Sequence, residues 1–268
     1  MSAGDVPAYA TVALERAGEH VLVARLNRPE ALNALNTRMG RDTLDLWTRL
    51  AAEPGELRCV VLTGAGERAF CSGGDLKERD GMTLEAWQAQ HEIFERSLVA
   101  LIECPLPVIA AVNGHAFGGG LEMALCCDFI YASRAARFAQ SEVRLGIMPG
   151  GMGTQNLARA VGERRAKELT LSARAFSAEQ GAAWGLVNRL CEPGKVLADA
   201  LETAQAIADN APLAVKQAKK SIHYGLQADL LTGYRFEIEA YNRLIGTEDR
   251  LEGVRAFNEK RKPRFRGK

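Results

Sequence analysis

Asn113-Gly114-His115-Ala116-Phe117-Gly118-Gly119-Gly120-Leu121-Glu122 is the stretch that decides the fold class. It follows the apolar run Val108–Val112, which reads as a buried strand, and Gly118–Gly120 then opens a helix of about two turns ending near Cys127. Phe129–Ala132 reads as the next strand. The same rhythm occurs upstream. Cys59–Thr63 reads as a short buried strand and Gly64–Asp75 as a glycine-rich loop. Leu84, Trp87, His91, Phe94, Leu98 and Leu101 then fall along one face of a long helix. Strand, glycine loop and helix, taken twice, predict an α/β core of related turns. The turns are too dissimilar in sequence to constitute a repeat.

Outward from this centre, Thr11–Glu15 and His20–Leu26 flank Ala17-Gly18 as a hairpin. Met39, Thr43, Leu46, Trp47 and Leu50 recur at helical spacing until Pro54-Gly55 stops them. Ser177-Ala178-Glu179-Gln180 has the pattern of a capping box opening a short helix, and Leu186–Leu190 reads as a last strand. From about Val196 nearly everything reads as helix, punctuated at Pro212, Gly225, Gly246 and Pro263. Leu230–Ile245 is apolar on more than one side, as expected of a helix packed between subunits. The expected division is a core carrying the active site over residues 1–198 and a helical oligomerisation region over 199–268.

Composition narrows the function classes. The chain has 268 residues, 47% apolar and 25% charged, so it can bury a large core without metal or disulfide staples. A net charge of +1 provides no global field to recruit nucleic acid or an anionic membrane. The six cysteines form no Cys-x-x-Cys pair and read as buried free thiols of a reducing compartment. The four histidines lack zinc-ligand spacing, and no apolar run reaches the ~20 residues that span a bilayer. The expectation is a soluble cytoplasmic protein, unless an organelle leader has been removed.

Chemistry concentrates in two glycine loops and two carboxylates. In Phe70-Cys71-Ser72-Gly73-Gly74-Asp75-Leu76-Lys77, small residues let a ligand approach the backbone and leave the Gly74 N–H free to donate. The loop reads equally as a tight turn before a helix capped by Asp75. Gly118–Gly120 fails the dinucleotide fingerprint because the sixth position from Gly118 is Met123, and no Gly-Lys-Ser/Thr follows. A helix start there still offers unpaired N–H groups. One donor from each loop would make an oxyanion hole for a carbonyl becoming enolate-like. Glu122 lies on the first turn of that helix, where the helix dipole favours an acid in any case. Glu142, twenty residues on, lies in a loop between Phe138 and Leu145. Taken singly each is more often structural; together, beside an oxyanion site, they are the parts needed to add water to an activated double bond.

Asn113–Asp128 followed by Phe138–Gln155 resembles the signature of the enoyl-CoA hydratase/isomerase (crotonase) family, and Asn27–Leu35 and Phe70–Glu78 match its other motifs. The resemblance runs from about residue 11 to the end. It implies a spiral of ββα turns with a C-terminal helical trimerisation region, assembled as a homotrimer or as a homohexamer of two trimers. By the same resemblance Gly74 and Gly119 supply the oxyanion hole. Glu122 takes a proton from the water attacking C3, and Glu142 supplies one to C2. Ala31, Leu32, Asp75, Leu76 and Lys77 lie where the family binds CoA, and Phe257 and Lys260 match positions that contact CoA on a neighbouring subunit. No cofactor or metal is implied, since CoA arrives as part of the acyl thioester substrate.

Having both glutamates favours hydration over a Δ3,Δ2-enoyl-CoA isomerase, the alternative within the family. A non-enzymatic RNA-binding or acyl-CoA-binding protein using Lys260, Arg261, Lys262, Arg264, Arg266 and Lys268 is the alternative outside it. The tail and Asp75–Arg79 look similar to the methylglutaconyl-CoA hydratase-like branch, beside the short-chain enoyl-CoA hydratases. Met152 stands where a small residue is common and Asn156 where an arginine often follows Thr-Gln. Arg144 reads either as a cation for a carboxylate-ended acyl chain or as a solvent-facing arginine.

Overall fold

The computed structural model describes residues 8–268. β1 (Val12–Arg16) and β2 (Val21–Leu26) pair antiparallel as the expected hairpin, and α1 (Thr37–Ala52) follows, capped by the Asn36 side chain. Three successive passes of the chain then each lay down a long strand, a short strand and helix. The first is β3 (Cys59–Gly64), β4 (Ala69–Cys71), α2 (Leu76–Arg79) and α3 (Leu84–Glu103). The second is β5 (Val108–Val112), β6 (His115–Phe117) and α4 (Gly119–Cys126). The third is β7 (Phe129–Ser133), β8 (Arg137–Ala139), α5 (Gly153–Val161) and α6 (Glu163–Ser172). β9 (Phe176–Ser177), α7 (Ala178–Ala183), β10 (Arg189–Cys191), α8 (Val196–Ala208), α9 (Pro212–Gly225), α10 (Leu230–Ile245) and α11 (Glu248–Asn258) complete the chain.

The long strands form a six-stranded sheet, β1-β2-β3-β5-β7-β10, parallel from β2 onward. The short strands stack into a second sheet, β4-β6-β8-β9, parallel across β4, β6 and β8. This is the spiral of ββα turns, a mixed α/β fold. Both faces of the large sheet are covered, which explains the unbroken apolar runs. Val60, Leu62, Val108 and Ala110 face a core shared with Trp47, Phe70 and Phe138. Cys59, Val61, Ile109 and Ala111 face Ala200, Ala204 and Ala208 of α8. The residue 198/199 boundary drawn from the sequence falls inside this helix.

Two asparagine clamps, Asn33 buried and Asn113 half-buried, shape the loop that carries Gly74. Asn33 Nδ2 donates to Ala65 O (3.0 Å) and Ala69 O (2.9 Å), and Asn113 Nδ2 donates to Gly64 O (3.0 Å) and Gly66 O (2.6 Å). Of α9 and α10 only Ala240 is buried. The pair is anchored through Lys219, whose Nζ donates to Leu106 O (2.9 Å) and Asp128 Oδ2 (2.8 Å). All six cysteines are buried and free, and no helix among the described residues is long and apolar enough to cross a membrane.

The short strands were unread in the sequence. The loop expected over Gly64–Asp75 contains β4, and the stretch after Val112 contains β6. The strand expected at Leu186–Leu190 lies slightly later, at β10, because Leu186 and Val187 instead close the turn after α7 through Gly181 O.

Candidate active site

Because β4, β6 and β8 are parallel neighbours, their carboxyl ends lie on one side, and the segments that follow them meet there. Gly73 and Gly74 follow β4, Gly118 and Gly119 follow β6, and Ser141 and Glu142 follow β8. All six line one pocket of about 460 Å³. Trp87, His91, Phe94 and Leu98 of α3 form another wall, and Leu145, Ile147 and Met148 a third side. The apolar face of α3 read from the sequence is therefore divided. Leu101 belongs to the core, Trp87 and His91 to the pocket, and Phe94 and Leu98 to both.

The Gly74 N–H is freed by its pairing. Leu35 N donates to Gly73 O (2.8 Å) and Asp75 N donates to Leu35 O (2.9 Å), a single parallel bridge that turns the intervening N–H away from Leu35. Gly119 is the first residue of α4, so its N–H has no partner within the helix, whereas Gly118 N is used by Ala139 O at 2.8 Å. The two loops touch: a Cβ placed on Gly73 would lie 3.5 Å from Gly119 N.

Both carboxylates are buried, Glu122 at 5% and Glu142 at 8% exposure. Glu122 Oε1 accepts from Gly151 N (2.8 Å) and from Gly153 N (2.9 Å), the first residue of α5. Burial and the Glu142 charge push the Glu122 carboxyl up to about 7 against the pull of those two N–H groups. Glu142 opens a 3-10 turn, Glu142–Leu145, and its Oε1 accepts from Gln140 Nε2 at 2.9 Å. Its Oε2 is buried without a partner among the described residues. Burial raises this carboxyl too, opposed by local hydrogen bonds including that of Gln140. Two desolvated acids beside one pocket resist ionising together.

The remaining residues singled out in the sequence are more scattered. Leu76 lines the pocket and Lys77 is exposed beside it. Asp75 serves the scaffold: it caps α2 through Lys77 N (3.1 Å) and Glu78 N (3.3 Å) and pairs with Arg28 at 2.8 Å. Ala31 and Leu32 are half-buried in a 3-10 turn outside the pocket lining, tied to its edge by Ser72 N donating to Leu32 O (3.1 Å). Phe257 and Lys260 lie at the end of α11, exposed and away from this pocket within the chain. Arg144 is exposed and Met152 half-buried, and neither lines the pocket. Met152 instead caps α5 at φ 69°, between the two glycines that hold Glu122. Unforeseen were Gln140, the Gly151 and Gly153 donors, and Arg79 on the pocket wall. Only Gly150-Gly151-Met152-Gly153 carried a signal, its density of small residues.

Residues 16–268 match the sequence profile of the enoyl-CoA hydratase/isomerase family. The chain is similar to the short-chain-enoyl-CoA hydratase of Clostridium acetobutylicum, 44% identical over 94% of this chain and 95% of that one. It is similar also to the (E)-benzylidenesuccinyl-CoA hydratase of Thauera aromatica, 39% identical over 92% of this chain and 96% of that one. The crystal structure of an enoyl-CoA hydratase from Bacillus anthracis superposes with a TM-score of 0.94 at 41% identity, covering 96% of this chain and all of that one.

Proposed function

Since the chain belongs to the enoyl-CoA hydratase/isomerase family, we propose that it is a hydro-lyase adding water across the 2,3 double bond of a 2-enoyl-CoA thioester to give a 3-hydroxyacyl-CoA. The observation that carries this reading is the meeting of two buried carboxylates and two unpartnered backbone N–H groups at one pocket.

The thioester oxygen accepts from Gly74 N and Gly119 N. Water held by the pair attacks C3 and gives its proton to Glu122, whose anion is stabilised by the Gly151 and Gly153 N–H groups. Electrons shift to the thioester oxygen, which the two donors stabilise as charge develops; one such donor is worth on the order of 3 kcal/mol. C2 then takes a proton from Glu142, whose Oε2 has no other engagement among the described residues. One acid gains the proton the other loses, and solvent exchange resets the pair. Leu76 and Lys77 at the pocket mouth support CoA entry from that side. The exposed apolar residues of α9, α10 and α11 support assembly as a trimer or hexamer, in which Phe257 and Lys260 reach CoA on a neighbour.

Loss of enoyl-thioester absorbance, followed with crotonyl-CoA and longer enoyl-CoA substrates, tests the reading. Hydration is expected, and Glu122→Gln and Glu142→Gln should each lower kcat by roughly 100- to 10,000-fold. No turnover of any 2-enoyl thioester would overturn it. Full hydration by either variant would remove that glutamate from the mechanism.

A further inference from the structure

Among the described residues Arg79 is the one arginine or lysine lining the pocket, and hydration leaves it without a task. Its planar group is held from the edge and from the faces. Nε donates to Gln90 Oε1 at 2.8 Å, and buried Gln90 is itself fixed, its Nε2 donating to Thr37 Oγ1 and Glu78 Oε2 at 2.8 Å each. The guanidinium carbon sits 4.4 Å from the Trp87 ring centroid and 5.7 Å from that of Phe94. Nη1 and Nη2, by contrast, meet no acceptor among the described residues. Glu78 acts on the cation only at a distance, since its Oε2 is engaged by Thr37 N and Gln90. Glu95, the other acid lining this wall, is held by His91 at 3.1 Å.

A half-buried guanidinium without a carboxylate partner is costly unless a ligand supplies one, and its paired terminal nitrogens match a carboxylate fork to fork. Its position sets where that carboxylate must lie. A Cβ on Gly74 would be 3.0 Å from Nη1, so the cation adjoins the loop whose N–H is assigned to the thioester oxygen. An anion reaching it lies on the acyl group, a few carbon–carbon bonds from the thioester. The geometry points to Arg79 as a specificity-determining residue that binds a second carboxylate on the acyl chain, making the substrate the CoA monothioester of an unsaturated dicarboxylic acid. This rests on the hydratase reading of the same pocket and names its substrate class.

The test compares crotonyl-CoA with the same thioester bearing a carboxyl group on C4, for wild type, Arg79→Met and Arg79→Lys. Wild type should favour the carboxylate-bearing thioester in kcat/KM by roughly 10- to 100-fold. Arg79→Met should bring that ratio close to one, and Arg79→Lys, with the charge but not the fork, should restore part of it. A second measurement needs no variant and no turnover. In competition binding to wild type, glutaryl-CoA should bind about tenfold or more tightly than butyryl-CoA. Equal treatment of the two thioesters by wild type, or an unchanged ratio in folded Arg79→Met, would overturn the assignment. Hydration of neither thioester would instead sink the hydratase reading, while the glutaryl-to-butyryl comparison would still decide on Arg79.

Discussion

In the proposed mechanism Glu122 meets opposing demands: it must be buried to exclude bulk water, yet ionised to accept a proton. Two backbone N–H groups reconcile them only in part, and the carboxyl remains at about 7. A stability consequence follows with a definite sign. An acid raised from 4.5 to about 7 binds more protons folded than unfolded between those values, so stability is fullest below 4.5 and declines as pH rises through 7. Glu122→Gln keeps an acceptor for both N–H groups and removes the titration. Denaturant unfolding at pH 5 and pH 8, at one protein concentration, should show the variant gaining on wild type by on the order of 3 kcal/mol at the higher pH. Gln140 acts through Glu142. Gln140→Leu deletes the 2.9 Å hydrogen bond that favours the Glu142 anion, so the limb of the kcat–pH profile set by Glu142 should move to higher pH. A loss of about tenfold in kcat with KM little changed should accompany it. The two glutamates were legible in the sequence as a pair beside glycine loops. Gly151 and Gly153 were not, because a hydrogen bond across about thirty residues leaves no periodicity. Gln140 was not, because a side-chain contact two residues along a loop leaves none either.

At the scale of elements, α4 is the part that cannot move, since it carries both Gly119 and Glu122. It packs so closely on β4 that a Cβ on Gly120 would lie 2.1 Å from Cys71 O. Gly120→Ala must push the helix off the strand, and a loss of more than about 2 kcal/mol in unfolding free energy is expected, with hydration falling in step. Long elements were readable: α10 has the bounds its apolar pattern suggests, and the capping box at Ser177 and Gln180 is present in full. The strands that place the site were not. β4, β6 and β8 have three residues each, shorter than a pattern of alternation needs to declare itself, and they are held by pairing with one another. Gly74, Gly119 and Glu142 thus depend on a sheet that local sequence does not announce.

The whole molecule leaves one broad surface unexplained by a single chain. Ile222, Leu231, Tyr234, Tyr241 and Ile245 on α9 and α10, and Leu226 just after α9, are exposed, more apolar area than a solitary chain usually leaves in water. Sedimentation should give a multiple of the 29.1 kDa chain mass, and Leu231→Asp with Tyr234→Asp should shift it toward one chain. By itself the sequence determined the α/β class, the long helices, the family and the two glutamates with their glycine loops. Those are matters of local pattern and spacing, written in neighbouring residues. Only the tertiary structure decided what joins them: the small sheet aligning three loops, the split face of α3, the backbone donors on Glu122, and Arg79 clamped over Gly74. The first three are contacts between segments distant in the chain, and the last depends on how the turn after β4 packs against α3; such contacts arise from packing, which no local run of residues specifies.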